Sequence, residues 1–315
     1  MLVSVVVVSW NRREDTLEAI RSVARQSHRD IEIVVVDANS DDGSAEAVAA
    51  EYPGSVLVRL EGNRGVAGNR NAGIRAASGD ILFFLDNDGI IEPGALEPVV
   101  EHFDRLPRLA AISFRVMNYF SGKLDHGSWV YPHSPETYSR VPFYTYTFTG
   151  GACALRRRAL EQVGLFWEEL FFAREEDDLA LRLLDAGYDI IYLPSVVLRH
   201  KVSPAVRTHA GDKLRLDLRN TLWIAWKYLP AIHALRISLA RSILYSARSF
   251  RIGQPSAALL GFAEALKELR AILSERRPLA QETYRRYVRL NPKMRWLPRG
   301  SSEPVYIDSR RPTAR

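Results

Sequence analysis

The stretch FFLDNDG, residues 83–89, closes an apolar run with two carboxylates, Asp86 and Asp88, set on either side of Asn87 and followed by Gly89. Asp-Asn-Asp-Gly is ordinary turn chemistry. Two acids at a strand end are also a way to hold a cation against a negative ligand. The chain before them shows what kind of strand this is. ILFFL (81–85) follows three other short apolar runs, VSVVVVS (3–9), IEIVVVD (31–37) and SVLVRL (55–60). Helical patterns at 14–27, 43–52 and 66–77 separate these runs. Continuous apolar strands joined by helical crossovers predict a parallel sheet covered on both faces. In such sheets ligands sit beyond the carboxyl ends of the strands. Asp37 and Asp86 occupy such ends, and Ser9 and Asn11 stand at and just past the first.

Downstream, residues 106–155 are rich in aromatics and proline, with strand-like stretches such as FYTYTFTGGACAL. A helix is expected from Arg156, and a second over Asp177–Ala186, stopped by Gly187. YDIIYLP (188–194) and VVLRH (196–200) read as two short strands. Beyond about residue 205 the pattern is helical. One helix ends at Pro230, the segment 232–250 repeats Ile232, Leu235, Leu239, Ile243, Ala247 and Phe250, and 256–274 has a similar stripe through Leu259, Phe262, Leu266 and Leu273. The expected organisation is a sheet domain over 1–205, a helical extension over 206–290 and a loose tail over 291–315.

Composition narrows the class. The 315 residues carry 47% hydrophobic and 25% charged side chains, an ordinary globular mixture. A single cysteine, Cys153, excludes an intramolecular disulfide and suits a reducing compartment. The net charge of +6, supplied almost wholly by arginine, reflects genome composition or an anionic partner: a phosphorylated substrate, an acidic membrane or nucleic acid. No recognised module carries that charge toward nucleic acid, so none is expected as a partner. No apolar run reaches the length of a membrane span. MLVSVVVVSW lacks a basic start and is followed by NRRED where a cleavage site would stand, so it reads as a buried strand and the protein as cytoplasmic.

Five segments in order, VVVVSWNR, VVVDANSDDGS, NRGVAGNRNAGIRAASGD, FLDNDG and FFAREEDDLALRLLDAGYDI, resemble family 2 glycosyltransferases of the GT-A fold, with the closest likeness to the rhamnosyltransferase-like branch. The resemblance spans roughly residues 1–205. It implies an α/β fold, a Rossmann-like and mostly parallel sheet with helices on both faces, extended at the C-terminus by helices. It implies an inverting transferase that moves a sugar from a nucleotide-diphosphate donor, a UDP- or dTDP-sugar, to an acceptor hydroxyl with Mn2+ or Mg2+. The chemistry fits the residues independently. Breaking the glycosidic bond adds charge to a diphosphate, and a divalent cation held by one or two carboxylates stabilises it.

The resemblance assigns roles residue by residue. Asp88 and His200 become metal ligands, with Asp86 on the metal or on ribose. Ser9, Asn11, Asp37, Arg70, Asp86 and Asn87 bind the donor. Each has a plainer reading: a strand-to-helix turn for Ser9 and Asn11, a helix cap for Asp37, a surface ion pair for Arg70 and a structural imidazole for His200. The family has Glu-Asp-x-Asp-Leu where this chain has REEDDL, which places the general base at Glu176 with Glu175 and Asp177 as alternatives. Acids also favour a helix N-terminus without any catalytic duty. Arg182 either orients the cluster or pairs with Asp178. Gly150 and Gly151 would let backbone approach the sugar, and Trp167, Phe171 and Phe172 either stack on sugar or fill core.

The acceptor class stays open among saccharide, lipid-linked and small-molecule hydroxyls. The Arg-bearing C-terminal helices either pack, on the sheet domain or in a homodimer, or rest on an anionic membrane as a peripheral seat at its inner face. Two rival functions are weighed: a sugar nucleotidyltransferase, disfavoured because SWNRRED has no glycine-rich signature, and a non-catalytic interaction protein acting through its basic helices.

Overall fold

A computed structural model describes residues 1–202, 210–294 and 304–307. The first half follows the alternation in the sequence: β1 (Val3–Ser9), α1 (Arg13–Ala24), β2 (Ile31–Asp37), α2 (Ser44–Glu51), β3 (Val56–Arg59), α3 (Gly65–Ala76) and β4 (Ile81–Asp86). Then come β5 (Gly89–Ile91), α4 (Leu96–Arg105), β6 (Leu109–Asn118), α5 (Pro135–Tyr138), β7 (Phe143–Tyr144), β8 (Ala152–Arg156), α6 (Arg157–Val163), α7 (Glu175–Asp185) and β9 (Asp189–His200). The C-terminal part holds α8 (Ala210–Tyr228), α9 (Ala231–Arg251), α10 (Ser256–Lys267), α11 (Leu269–Ser274), α12 (Gln281–Leu290) and β10 (Val305–Tyr306).

The sheet runs β10-β7-β9-β6-β8-β4-β1-β2-β3. β3, β2, β1 and β4 are parallel neighbours, β8 inserts antiparallel between β4 and β6, and β6 and β9 are again parallel. Both faces are covered because strand side chains alternate. Val5, Val7, Phe83 and Leu85 meet α1 and α4 on one face, while Val6, Val36, Leu82 and Phe84 meet α3, α6 and α7 on the other. Parallel pairing in register, Ser9 opposite Asp37 and Val8 opposite Asp86, brings three strand ends to one edge.

Several local expectations change. The acidic helix begins at Glu175, so all four acids lie in its first turn. The two short strands after it are one, β9, with a register irregularity opposite Phe114/Arg115. Pro194 and Ser195 lie there, and the bulge absorbs the ladder bond that proline cannot donate. FYTYTFTGGACAL is two strands split by a loop. The 256–274 helix is two, α10 and α11, with Glu268 between them. The tail is not wholly loose: Val305–Tyr306 pairs antiparallel with β7. The boundary expected at 205/206 and most of the tail lie outside the described residues.

The helical extension packs against the sheet domain. Leu170 and Leu181 share a core with Leu214, Leu218 and Leu222 of α8. Trp167 lies against Trp223, 5.8 Å between ring centres, and beneath the Lys227 ammonium. α9 packs on α8 through Ala234, Ile237, Tyr245 and Ser249, and α10 through the small residues Ala257, Gly261 and Ala265. A Cβ on Gly261 would strike the Arg215 carbonyl, so the close approach requires glycine. Most of the large apolar residues of both helices, expected to pack inward on one reading, face outward instead.

Candidate active site

The strand ends form a cleft whose floor is set by β1 and β4. Ser9 and Asn87 lock that floor rather than line it. The Ser9 hydroxyl is 2.8 Å from the Thr16 hydroxyl, and the buried Asn87 amide donates to the Asn11 carbonyl (2.8 Å) and to Thr16 (3.1 Å). Asn11 adopts a left-handed conformation, φ 58°, in which its amide oxygen accepts from the Asp41 N–H at 3.0 Å. Its own N–H donates to Ser40 at 2.8 Å. Asp37 accepts the Ser40 N–H through one oxygen at 3.0 Å, while its other oxygen is buried with no partner among the described residues. A buried carboxylate oxygen left unpaired costs free energy. It stands at the C-terminal edge of β2, and its one bond goes to Ser40, not to the first turn of α2.

Arg70 joins the two acidic segments. It is 3% exposed, pairs with Glu176 at 3.1 Å and Glu175 at 3.3 Å, and lies 3.6 Å from Asp86. The surface ion pair of the plainer reading is thereby excluded. Burial opposes its charge, but the Asp86, Glu176 and Glu175 carboxylates outweigh it and hold the guanidinium firmly protonated. Asp86 is half-exposed to the cleft yet walled by protein. Loss of surrounding water and the Asp88 charge raise its pKa, with Arg70 and His200 opposing. Gly150 and Gly151 face this group: a Cβ on Gly150 would collide with Glu176 Oε1 and the Arg70 guanidinium, and one on Gly151 with the Asp86 carboxylate.

The four acids of α7 have different partners. Glu175 is buried, with one oxygen unpartnered, and burial followed by the Glu176 charge raises its pKa well above the ordinary range. Glu176 touches Arg70 at the cleft wall and keeps part of its side chain accessible. Asp177 accepts the Thr147 hydroxyl at 2.7 Å and pairs with Arg174 at 2.9 Å. Asp178 is 0% exposed, held by Arg182 (3.0 Å from Nε) and the Tyr228 hydroxyl (2.7 Å). Arg182 also donates to the carbonyls of Val163, Gly164 and Leu165, so it stitches α7 to α6. Only Glu176 combines access to the cleft with a place beside Arg70 and the glycines.

Asp88 and His200 meet on the opposite wall, with 3.7 Å between Asp88 Oδ1 and His200 Nε2. The other ring nitrogen lies 2.9 Å from Asp125, which fixes the imidazole and directs Nε2 toward Asp88. The hydrogen bond to Asp125 and the nearby Asp88 carboxylate push the His200 pKa up to about 10, against burial. Arg12 reaches Asp88 Oδ2 at 2.8 Å. Among the described residues no three His, Cys, Asp or Glu side chains converge as a metal cage. A carboxylate and an imidazole 3.7 Å apart nevertheless offer donor atoms of the kind that Mn2+ or Mg2+ takes, the rest of its coordination coming from substrate phosphates and water.

With that geometry in place, the comparisons are decisive for the family: the family model for glycosyl transferase family 2 matches residues 4–164. The chain belongs to glycosyl transferase family 2. The amylovoran biosynthesis glycosyltransferase AmsB of Erwinia amylovora is 23% identical over 261 residues, 79% of this chain and 82% of that protein. Relatives at 32–39% identity match a stretch of 103–111 residues, and the chain spans about a third of their length. Staphylococcus aureus TarS 1–349 in complex with UDP superposes with TM-score 0.59 at 22% identity, over 93% of this chain and 90% of that one. The mannosyltransferase PcManGT of Pyrobaculum calidifontis, in complex with GDP-Man and Mn2+, gives TM-score 0.55 at 21% identity over 93% and 84% of the chains. At such identities the likeness is one of fold, and that fold is GT-A.

Three residues around the site were given no role from the sequence. Asp125 lies outside the recognised segments, Arg12 carries no motif chemistry of its own, and Asn220 lies in RNTLWIAWKYLP (219–230), which resembles a segment following the catalytic domain in similar enzymes but assigns no role to it. Asn220 on α8 is fully buried, and its amide donates to the carbonyls of Leu170, Phe172 and Ala173, at 2.7–2.9 Å. That loop leads into α7 and holds Phe171, Ala173 and Arg174 at φ of 60°, 69° and 71°, a costly conformation for residues with a Cβ. Trp167 belongs to the joint with α8, not to the cleft. A separate concavity of about 720 Å³ lies at that joint, lined by Arg182, Lys227 and Arg277 among others. Arg182 and Lys227 there pair with Asp178 and Glu275, so it reads as a seam between sheet and extension.

Proposed function

We propose that this family 2 glycosyltransferase transfers a sugar, with inversion, from a nucleotide-diphosphate donor to an acceptor hydroxyl, with Glu176 as general base. The observation that carries the reading is the Arg70 junction. One buried guanidinium ties Asp86, at the donor edge of the cleft, to Glu176, at the start of α7, across a glycine pair that leaves room for backbone-close binding.

In this reading Asp37 uses its unpaired oxygen to accept a hydrogen bond from the base or ribose of the donor. Asp86, across β1 from it at the same sheet edge, would serve ribose or, through water, the cation. Asp88 and His200 would hold Mn2+ or Mg2+, His200 as the neutral imidazole. The bound cation supplies Lewis-acid stabilisation of the diphosphate leaving group. Glu176 accepts the acceptor hydroxyl proton as that oxygen bonds the anomeric carbon and the carbon–phosphate oxygen bond breaks. Arg70 holds Glu176 at the cleft wall through their 3.1 Å ion pair, and the four-residue acidic turn gains from the helix N-terminus. UDP and GDP-Man in the similar structures, with Mn2+ in one, and polymer biosynthesis in AmsB support a nucleotide-sugar donor and a saccharide or lipid-linked acceptor.

Nucleoside-diphosphate release from a panel of sugar nucleotides tests this. Turnover is expected with Mn2+ or Mg2+ and not in EDTA, and equal turnover in EDTA would remove the metal role. Glu176→Gln should lower kcat by roughly 10²–10⁴-fold while donor affinity, read by titration calorimetry, stays near wild type. A comparable loss in Asp177→Asn and none in Glu176→Gln would move the base to Asp177.

A further inference from the structure

α9 and α10 turn their bulky apolar side chains away from the protein. On α9, Ile232, Leu235, Leu239, Ile243, Leu244 and Phe250 are exposed, Leu239 by 65% and Phe250 by 70%. On α10, Leu259, Leu260 and Leu266 are exposed, Leu259 by 70%. The inner faces are built instead mainly from alanine, glycine, serine and tyrosine, with Ile237. Scattered surface leucines are ordinary, whereas two neighbouring helices that present their largest apolar residues to water mark a contact surface.

The charge on this surface selects the partner. α9 carries Arg236, Arg241, Arg248 and Arg251 over 21 residues and no acid. Arg248 and Arg251 are exposed and enter no ion pair among the described residues. A second copy joined two-fold would set this patch on itself and bring the arginines of both copies together with no carboxylate on α9 to receive them. An anionic bilayer has both halves of what the surface needs: an acyl boundary for the leucines and headgroup charge for arginines whose stems lie along the helix. No described helix is long and apolar enough to cross a membrane, which leaves a helix lying in the interface.

We infer that the outer faces of α9 and α10 form a docking surface for an anionic membrane leaflet. Its place matters for the cleft. The inner face of α9 bears Tyr245, which donates to Asp217 at 2.6 Å and lies 3.4 Å from Arg174, the partner of Asp177 at the start of α7. One helix, about 10 Å across, separates the leaflet from the acidic turn, so a membrane-borne acceptor hydroxyl is within its reach. That consequence rests on the transferase reading, whereas binding to the leaflet does not.

The test is co-sedimentation of the full chain with vesicles of phosphatidylcholine alone and of phosphatidylcholine with phosphatidylglycerol, with no sugar nucleotide present. Retention is expected on the anionic vesicles, weakened by added salt. Arg248→Gln/Arg251→Gln should weaken it by about tenfold or more, and Leu239→Glu/Ile243→Glu by at least about tenfold. Both variants should keep the circular dichroism and donor turnover of the parent. No retention of the parent, or equal retention of parent and variants, overturns the inference. So does a parent dimer in solution that Leu239→Glu/Ile243→Glu splits to monomers, since the face would then be covered by a second copy. Loss of donor turnover in the parent would instead fail the transferase reading and leave the vesicle result standing.

Discussion

Arg70 is the residue on which the cleft depends most. Its guanidinium is buried among three carboxylates, and its Nε has no partner among the described residues. Removal would leave Glu175 buried beside Glu176 without a counter-charge. Breaking one side of a buried ionic group costs far more than the pair contributes. Arg70→Met is expected to lower stability by about 3–5 kcal/mol, read from urea unfolding, and to abolish donor turnover. Arg70→Lys should recover part of the stability and little of the turnover, because a point charge does not reproduce a fork that reaches both acidic segments. Equal unfolding midpoints for Arg70→Met and the parent would show that Glu175 is neutral without its help.

At the scale of elements, the loop 170–174 is set by a helix far away in sequence. Three non-glycine residues with positive φ store strain just before α7, and the Asn220 amide on α8 holds three carbonyls of that turn. Arg219 adds donations to the Glu169 and Leu170 carbonyls, both at 3.0 Å. Asn220 therefore acts as a positioning residue. Asn220→Ala should cost roughly 1–3 kcal/mol for the buried carbonyls it abandons. It should also lower kcat for transfer more than it raises the donor KM, because the first turn of α7 loses its register against Arg70. Asn220→Asp, which cannot donate, should behave as the alanine variant does. Recovery of wild-type kcat in either would reduce Asn220 to a packing role.

Across the whole molecule, sheet and helical extension share interior. Trp167, Leu170 and Leu181 pack against α8, the Tyr228 hydroxyl donates to the fully buried Asp178, and Arg286 of α12 pairs with Asp189 at the start of β9. A fragment ending at residue 205 would expose that apolar seam and leave Asp178 without one of its partners. Such a fragment is expected to lose cooperative thermal unfolding and donor turnover together, read by circular dichroism and nucleoside-diphosphate release. A fragment with native-like unfolding would make 1–205 a domain in its own right.

The alternation of apolar strands and amphipathic helices determined the parallel half of the sheet and the strand-end cleft. These follow from side-chain periodicity, which is local and written in the chain. The acidic pairs and Arg70 were legible for the same reason: each ends a strand or begins a helix whose direction the pattern fixes. What the chain order does not state is which acid faces which cation. Register and packing chose Glu176 for the cleft wall, withdrew Asp178 into the core, placed Ser9 and Asn87 in the floor, recruited Asp125 from a segment without a motif, and gave Asn220, in a recognised segment with no assigned role, its hold on the loop before α7. The outward turn of the α9 and α10 leucines was decided at the same level. A periodic apolar stripe says that one face of a helix seeks a non-aqueous neighbour, and only the close fit of alanines and Gly261 against α8 shows that the neighbour is not this protein's own core.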